Sequence, residues 1–149
     1  MLTVNYPNEA QLRLFATELK SGEYRVSKYL PPIDENWYAT IGSCIAYVEQ
    51  TAHYEDTTFM EVCARLLYKV AKRHELGDGN KRSSVIALYL FCLVNDYIIL
   101  SPALIKKQAK RIAATKGRAN EAMMRKRIAL VLEEIIFSEE KLLQLAKMK

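Results

Sequence analysis

Residues 74 to 84 read HELGDGNKRSS. They gather an imidazole (His74), a carboxylate (Asp78), two glycines (Gly77 and Gly79), an amide (Asn80) and two cations (Lys81 and Arg82). A turn between two helices needs only the glycines, so the other side chains call for a chemical explanation. A helix that starts at Asn80 or Lys81 points its unpaired N–H groups and the positive end of its dipole at the preceding loop, where they favour an anion. Gly77 and Gly79 permit positive φ and close backbone approach, which together make a nest of amide donors suited to phosphate. Lys81 and Arg82 are disfavoured at a helix amino end unless a polyanion binds there. Asp78 beside such a nest suits a magnesium ion held between phosphate oxygens. His74, at the other lip, titrates in the range needed to take a proton from an attacking hydroxyl. Base, metal ligand and anion cradle together describe phosphoryl or nucleotidyl transfer. The same residues also make an ordinary helix-ending turn, with His74 capping carbonyls and Lys81-Arg82 solvated. On residue types alone both readings stand.

The elements that must position this loop are helices. Asn8 caps a first helix to about Lys20, and Asp34 caps a second whose Trp37, Ile41, Cys44, Ile45 and Val48 share one face. A third begins near Thr57 or Thr58 and carries the apolar stripe Phe59, Val62, Cys63, Leu66, Leu67, Val70 and Ala71, closing at Lys72, Arg73 and His74. The fourth, Lys81 to about Val94, is apolar on nearly every side, which predicts the central position in the bundle. Ser101-Pro102 starts a fifth that stops near Gly117. A sixth is expected over about Asn120 to Phe137, and Ser138 caps a short terminal helix. Between the first two helices, Glu23 to Leu30 suits an extended segment or short hairpin, closed by Pro31-Pro32. The expectation is a compact all-α bundle, a single domain over residues 1–149, with a short β-flap near the N-terminus.

Composition narrows the partners. The longest apolar run, Val85 to Val94, is ten residues, short of the roughly 18 that a membrane span needs. The start MLTVNYPNEA lacks the basic and apolar pattern of a secretory signal, so a cytoplasmic location is expected. Cys44, Cys63 and Cys92 lie in apolar helical patterns without a CxxC pair and read as buried reduced thiols. Net charge is +5, and from Lys106 to Arg127 nine Lys or Arg face one acid, Glu121. Such a cluster is a solvated face, the dock of an acidic partner or a nucleic-acid footprint; without interleaved aromatics or glycines, nucleic acid is the weakest of the three.

The loop resembles the signature of the Fic/Doc family, His-x-Phe-x-Asp/Glu-Gly-Asn-Gly-Arg-x-x-Arg in its adenylylating members. It is nearer to the death-on-curing (Doc) toxin branch, His-x-Phe-x-Asp-Ala/Gly-Asn-Lys-Arg. The matching residues are His74, Asp78, Gly79, Asn80, Lys81 and Arg82. The flanks FMEVCARLLYKVAKRH and SSVIALYLFCLVND resemble the helices that bracket the family's site, so the likeness covers residues 57 to 100 and extends by helix order. Leu76 stands where the family has Phe, Lys81 where adenylylating members have their second glycine, and Val85 in place of the last arginine.

That resemblance implies a Fic fold and an enzyme that moves part of ATP, with Mg²⁺, onto a protein hydroxyl. His74 is then the base, Asp78 the magnesium ligand, Gly79, Asn80 and Lys81 the phosphate cradle, and Lys81 with Arg82 the charge stabilisers. A long cation at Lys81 and an apolar Val85 favour the Doc manner of binding, with the γ-phosphate in the cradle, hence a kinase-type toxin. The substrate so implied is a bacterial translation factor, elongation factor Tu in Doc-like proteins, and control comes from an antitoxin in trans. AMP transfer by a Fic-type adenylyltransferase is the alternative, followed by an inactive Fic scaffold or a basic nucleic-acid-binding module. Glu23 to Leu30 is the candidate flap for clamping an extended target by strand pairing, with an ordinary surface hairpin or coil as the equal alternative. Thr51 to Glu55 is the nearest match to the family's inhibitory helix, but without an arginine at position 85 Glu55 is expected to lack that partner, and His53 reads as a surface histidine.

Overall fold

The computed structural model describes residues 3–73, 80–115 and 121–148. The chain forms helices α1 (Glu9–Ser21), α2 (Glu35–Glu55), α3 (Phe59–Ala71), α4 (Asn80–Val94), α5 (Pro102–Ala114), α6 (Glu121–Glu133) and α7 (Glu139–Lys147), with two short strands, β1 (Tyr97–Ile99) and β2 (Ile136–Ser138). It is an all-α bundle carrying one two-stranded ribbon. No helix among the described residues is long and apolar enough to cross a membrane.

The helix starts follow side-chain chemistry. Asn8, Asp34, Thr58, Ser101 and Ser138 each accept a hydrogen bond from a backbone N–H of the first turn they precede, satisfying one of the donors a helix leaves orphaned. At α1 the arrangement is reciprocal, because the Gln11 side chain accepts from the Asn8 N–H.

α4 is the hub. Val85, Ile86, Ala87, Leu88, Leu90, Phe91 and Cys92 are all buried, and Phe91 stacks on Phe59 of α3 with ring centroids 5.5 Å apart. α3, α5, β1 and the segment at Ser27–Tyr29 pack on this helix, and Trp37 of α2 reaches its first turn, which explains why its sequence lacks a polar face. Cys44, Cys63 and Cys92 are buried and form no disulfide. Burial holds the Cys63 thiol protonated, with the Cys92 thiol as its neighbour. By contrast α7 buries none of its residues and exposes Leu143 and Leu145.

Two expectations are corrected. Glu23 to Leu30 is neither a strand nor a hairpin: it is a bend that ends in a single 3-10 turn, Ser27–Tyr29. Val26 and Tyr29 are both buried, three positions apart. One helical turn points such a pair the same way, whereas a strand sends the two to opposite faces. The Ser27 hydroxyl also accepts from the Tyr24 N–H at 2.8 Å, and Arg25 donates to the Leu100 carbonyl at 3.1 Å. Second, α6 ends at Glu133, and Ile136–Ser138 pair antiparallel with Tyr97–Ile99, Ile98 opposite Phe137. The β-branched and aromatic residues on both sides, Tyr97, Ile98 and Ile99 facing Ile136 and Phe137, favour this pairing. Asp96, at φ 61°, makes the turn into β1, and its carbonyl accepts from the Glu139 N–H at 2.9 Å.

If α4 is the enclosed hub, Leu88→Ala costs about 2–5 kcal/mol in urea unfolding. Leu130→Ala, on the exposed side of α6, stays within about 0.5 kcal/mol of the parent. Equal losses at the two positions contradict the assignment.

Candidate functional site

α4 begins at Asn80, where its first-turn N–H groups have no partners within the helix. Asn80 is buried, and its amide nitrogen donates to the backbone carbonyl of Arg73, the last described residue before the 74–79 connection. That bond ties the two ends of the connection together. The Asn80 side-chain oxygen is buried and accepts no hydrogen bond among the described residues. An orphaned acceptor beside a helix amino end fits a hydrated cation or a donor-bearing ligand. Lys81 is exposed, Arg82 is half-buried, and Ser83 and Ser84 are buried. The two serines are paired: Ser83 Oγ accepts from Trp37 Nε1 at 3.0 Å, and Ser84 Oγ donates to the Asn80 carbonyl at 2.8 Å.

Three further elements converge on this end of α4. Arg73 reaches Ser43 Oγ on α2 at 3.2 Å. Lys72 Nζ donates to the Thr115 carbonyl, the cap of α5. Through that contact the basic α5, with Lys110 and Arg111 exposed, ends beside the close of α3. Part of the Lys106–Arg127 cluster thus adds to the positive potential around the helix start.

Among the expected site residues, Asn80, Lys81 and Arg82 are brought together on the first turn of α4. His74, Asp78 and Gly79, together with Gly77 and Leu76, lie outside the described residues. Lys116 and Arg118 of the basic cluster do as well. Among the described residues no group of three or more His, Cys, Asp or Glu could hold a metal ion. Val85 is fully buried, so the position where the resembling signature carries an arginine lies inside the core.

Thr51–Glu55 is the end of α2 as expected, and with Val85 in the core Glu55 has no arginine at that position, but it has other partners. Arg65 of α3 is buried and holds Asp56 through two bonds, Nε to Oδ2 at 2.8 Å and Nη2 to Oδ1 at 3.2 Å. The same Nη2 donates to Glu55 Oε2 at 2.6 Å. Arg125 of α6 approaches Glu55 at 4.0 Å and Glu121 at 3.6 Å. Burial works against the Arg65 charge, but the bonds to Asp56 and Glu55 outweigh it and raise its pKa. The Arg65 hydrogen bond, with its charge, pulls the Glu55 carboxyl below its ordinary value of 4.5. The sequence signal for this knot was the adjacent acid pair at a helix boundary, ten and nine residues before a lone arginine on an apolar stripe.

Two concavities flank α3. One of about 140 Å³ lies over the Glu55–Arg65–Arg125 knot. A larger one, about 1060 Å³, lies between Tyr6 and the end of α2. Neither is lined by Asn80, Lys81 or Arg82. Comparison of the chain with protein-family models, curated proteins and solved structures finds no match.

Two outcomes test this geometry. Asn80→Ala loses about 1–2 kcal/mol of stability through its bond to Arg73. Asn80→Asp loses more, because a carboxylate then faces a carbonyl. An unfolding midpoint unchanged in both variants removes the clamp. For Glu55, a folded-state pKa below 4.5 means that its contribution is present above the unfolded value and is lost as pH falls through the folded one. Acid titration of Glu55→Gln therefore shows a shallower stability loss below about pH 4.5 than the parent. Identical acid limbs contradict the pairing.

Proposed function

We propose that the chain is a Doc-type phosphotransferase of the Fic/Doc family, which moves the γ-phosphoryl group of ATP onto a hydroxyl of a bacterial protein. The observation that carries this reading is the first turn of α4. There the signature residues Asn80, Lys81 and Arg82 sit at the amino end of a buried helix, with Asn80 tied back to the start of the 74–79 connection.

Lys81, exposed at this turn, and Arg82 offer positive charge to a polyphosphate in addition to the helix-end amides. His74 takes the proton of the attacking hydroxyl as the new oxygen–phosphorus bond forms. The bond from Pγ to the β–γ bridging oxygen then breaks and ADP leaves. Lys81 and Arg82 stabilise the charge that spreads over the transferring group. Asp78 would hold a magnesium ion, which supplies neutralisation of phosphate charge; the orphaned acceptor of Asn80 suits that environment. The buried Val85 leaves no cation to anchor a distal phosphate deeper along α4, and this supports γ- over α-phosphoryl transfer.

The substrate in this reading is a translation factor such as elongation factor Tu, the location is cytoplasmic, and an antitoxin acts in trans. The 3-10 turn at Ser27–Tyr29 offers no paired strand for clamping a target, so target binding needs another surface.

The test is incubation with ATP labelled separately at the α- and γ-positions, Mg²⁺ and a bacterial lysate. Label is expected on protein from the γ-position alone, and lost by about 10²-fold or more in His74→Ala. Label from the α-position makes the chain an adenylyltransferase instead. No transfer from either position, or transfer that survives His74→Ala, rejects the catalytic assignment.

A further inference from the structure

The larger concavity lies at the opposite end of α3 from the 74–79 connection. α3 has thirteen residues, about 20 Å of helix, so the two regions are separate. Its walls include Tyr6 from the N-terminal segment, Glu49, His53 and Tyr54 from the end of α2, and Asp56 and Thr57 from the turn that follows.

Both walls are held in place. Asn5 and Asn95 exchange hydrogen bonds, the Asn5 N–H to Asn95 Oδ1 at 2.7 Å and Asn95 Nδ2 to the Asn5 carbonyl at 2.9 Å. The Tyr6 ring packs on Phe91 with centroids 5.6 Å apart. On the other side, Arg65 fixes Asp56 and with it the α2–α3 turn.

The chemistry of the lining runs against the rest of the molecule. The chain carries +5, yet the described lining holds two carboxylates and no Lys or Arg. Asp56 commits both oxygens to Arg65. Glu49 is exposed and enters no ion pair among the described residues. Burial raises the Tyr6 hydroxyl pKa, and the negative charges of Glu49 and Asp56 add to the rise. Tyr54 is 87% exposed and meets the His53 ring edge-on at 5.0 Å. Aromatic faces near an uncompensated carboxylate attract organic cations. At about 1060 Å³ the groove exceeds what a single side chain fills, and its open form suits an extended segment.

We propose that this groove docks a basic peptide segment of a partner protein, with a Lys or Arg side chain against Tyr6 and Tyr54 and neutralised by Glu49. The site stands independently of the phosphotransferase reading. In that reading it gives a target a place to be held away from the reacting loop.

The experiment is an NMR titration of the ¹⁵N-labelled full chain with an acetylated heptapeptide alternating Ala with Lys or Arg. Its controls are a peptide with Gln at the cationic positions and acetyl-lysine methylamide alone. The basic peptide is expected to shift the amides of Tyr6 and of 49–57 in a saturable manner. Glu49→Gln and Tyr54→Ala, both at exposed positions, each weaken it about five- to tenfold, and salt weakens it further. His74→Ala leaves the affinity unchanged, so failure of the catalytic reading and failure of this one are read separately. Equal affinity for the Gln peptide, or for acetyl-lysine methylamide alone, overturns the proposal. So does the absence of saturable shifts, or a shift of the same amides on simple concentration of the chain, which makes a second copy the occupant.

Discussion

A helix enclosed on all sides must enter the bundle somewhere, and its entry turn carries polar groups that the core cannot leave unpaired. In this chain that turn is Asn80 to Ser84. Trp37 covers Ser83, Ser84 returns to the Asn80 carbonyl, and Asn80 reaches the Arg73 carbonyl. Among the described residues the Asn80 oxygen accepts no hydrogen bond, and Lys81 and Arg82 stand at the positive end of the helix dipole. Cations at the positive end of a buried helix would be offset by a polyanion, which is the ligand the proposed function calls for. The same enclosure of α4 forces α2, α3 and α5 to end or pass nearby, so Ser43 and Thr115 become neighbours of the site without being part of any local motif.

Much of this architecture is written in short-range sequence signals. Asn8, Asp34, Thr58, Ser101 and Ser138 cap helices because their side chains solve a problem within three residues of themselves. The stripe of α3 and the all-round apolar sequence of α4 likewise follow from helix period alone. The failures have a common cause, which is dependence on distant partners. Tyr97–Ile99 and Ile136–Ser138 are each too short to be stable as strands, and only their pairing across 36 intervening residues makes them so. In Val26–Tyr29 the β-branched and aromatic residues suggest extension, but burial against the bundle selects a helical turn. Asn80, Lys81 and Arg82 were legible as the front of α4. That α5 ends beside them, through Lys72 and Thr115, was not.

The Arg65 knot belongs to the same class of hidden feature. A buried guanidinium requires partners, and here Asp56 and Glu55 come from the end of the preceding helix while Arg125 adds α6. Losing one partner would strand the buried Arg65 charge, so the knot ties the end of α2 to α3. α3 is held at its middle by the knot and at its close by Lys72 and Arg73. The two ends face different chemistry, one lined by carboxylates and aromatic rings, the other by cations and helix-end amides.

In the proposed function the amino end of α4 grips a nucleotide's phosphates. Backbone amide shifts recorded while MgATP is added to the full chain test it most directly. The largest saturable shifts are expected on Asn80, Lys81, Arg82 and Ser83, and Lys81→Ala with Arg82→Ala is expected to weaken binding by at least about tenfold. Saturable shifts that leave these four amides still, or an affinity indifferent to both lysine and arginine, would contradict it.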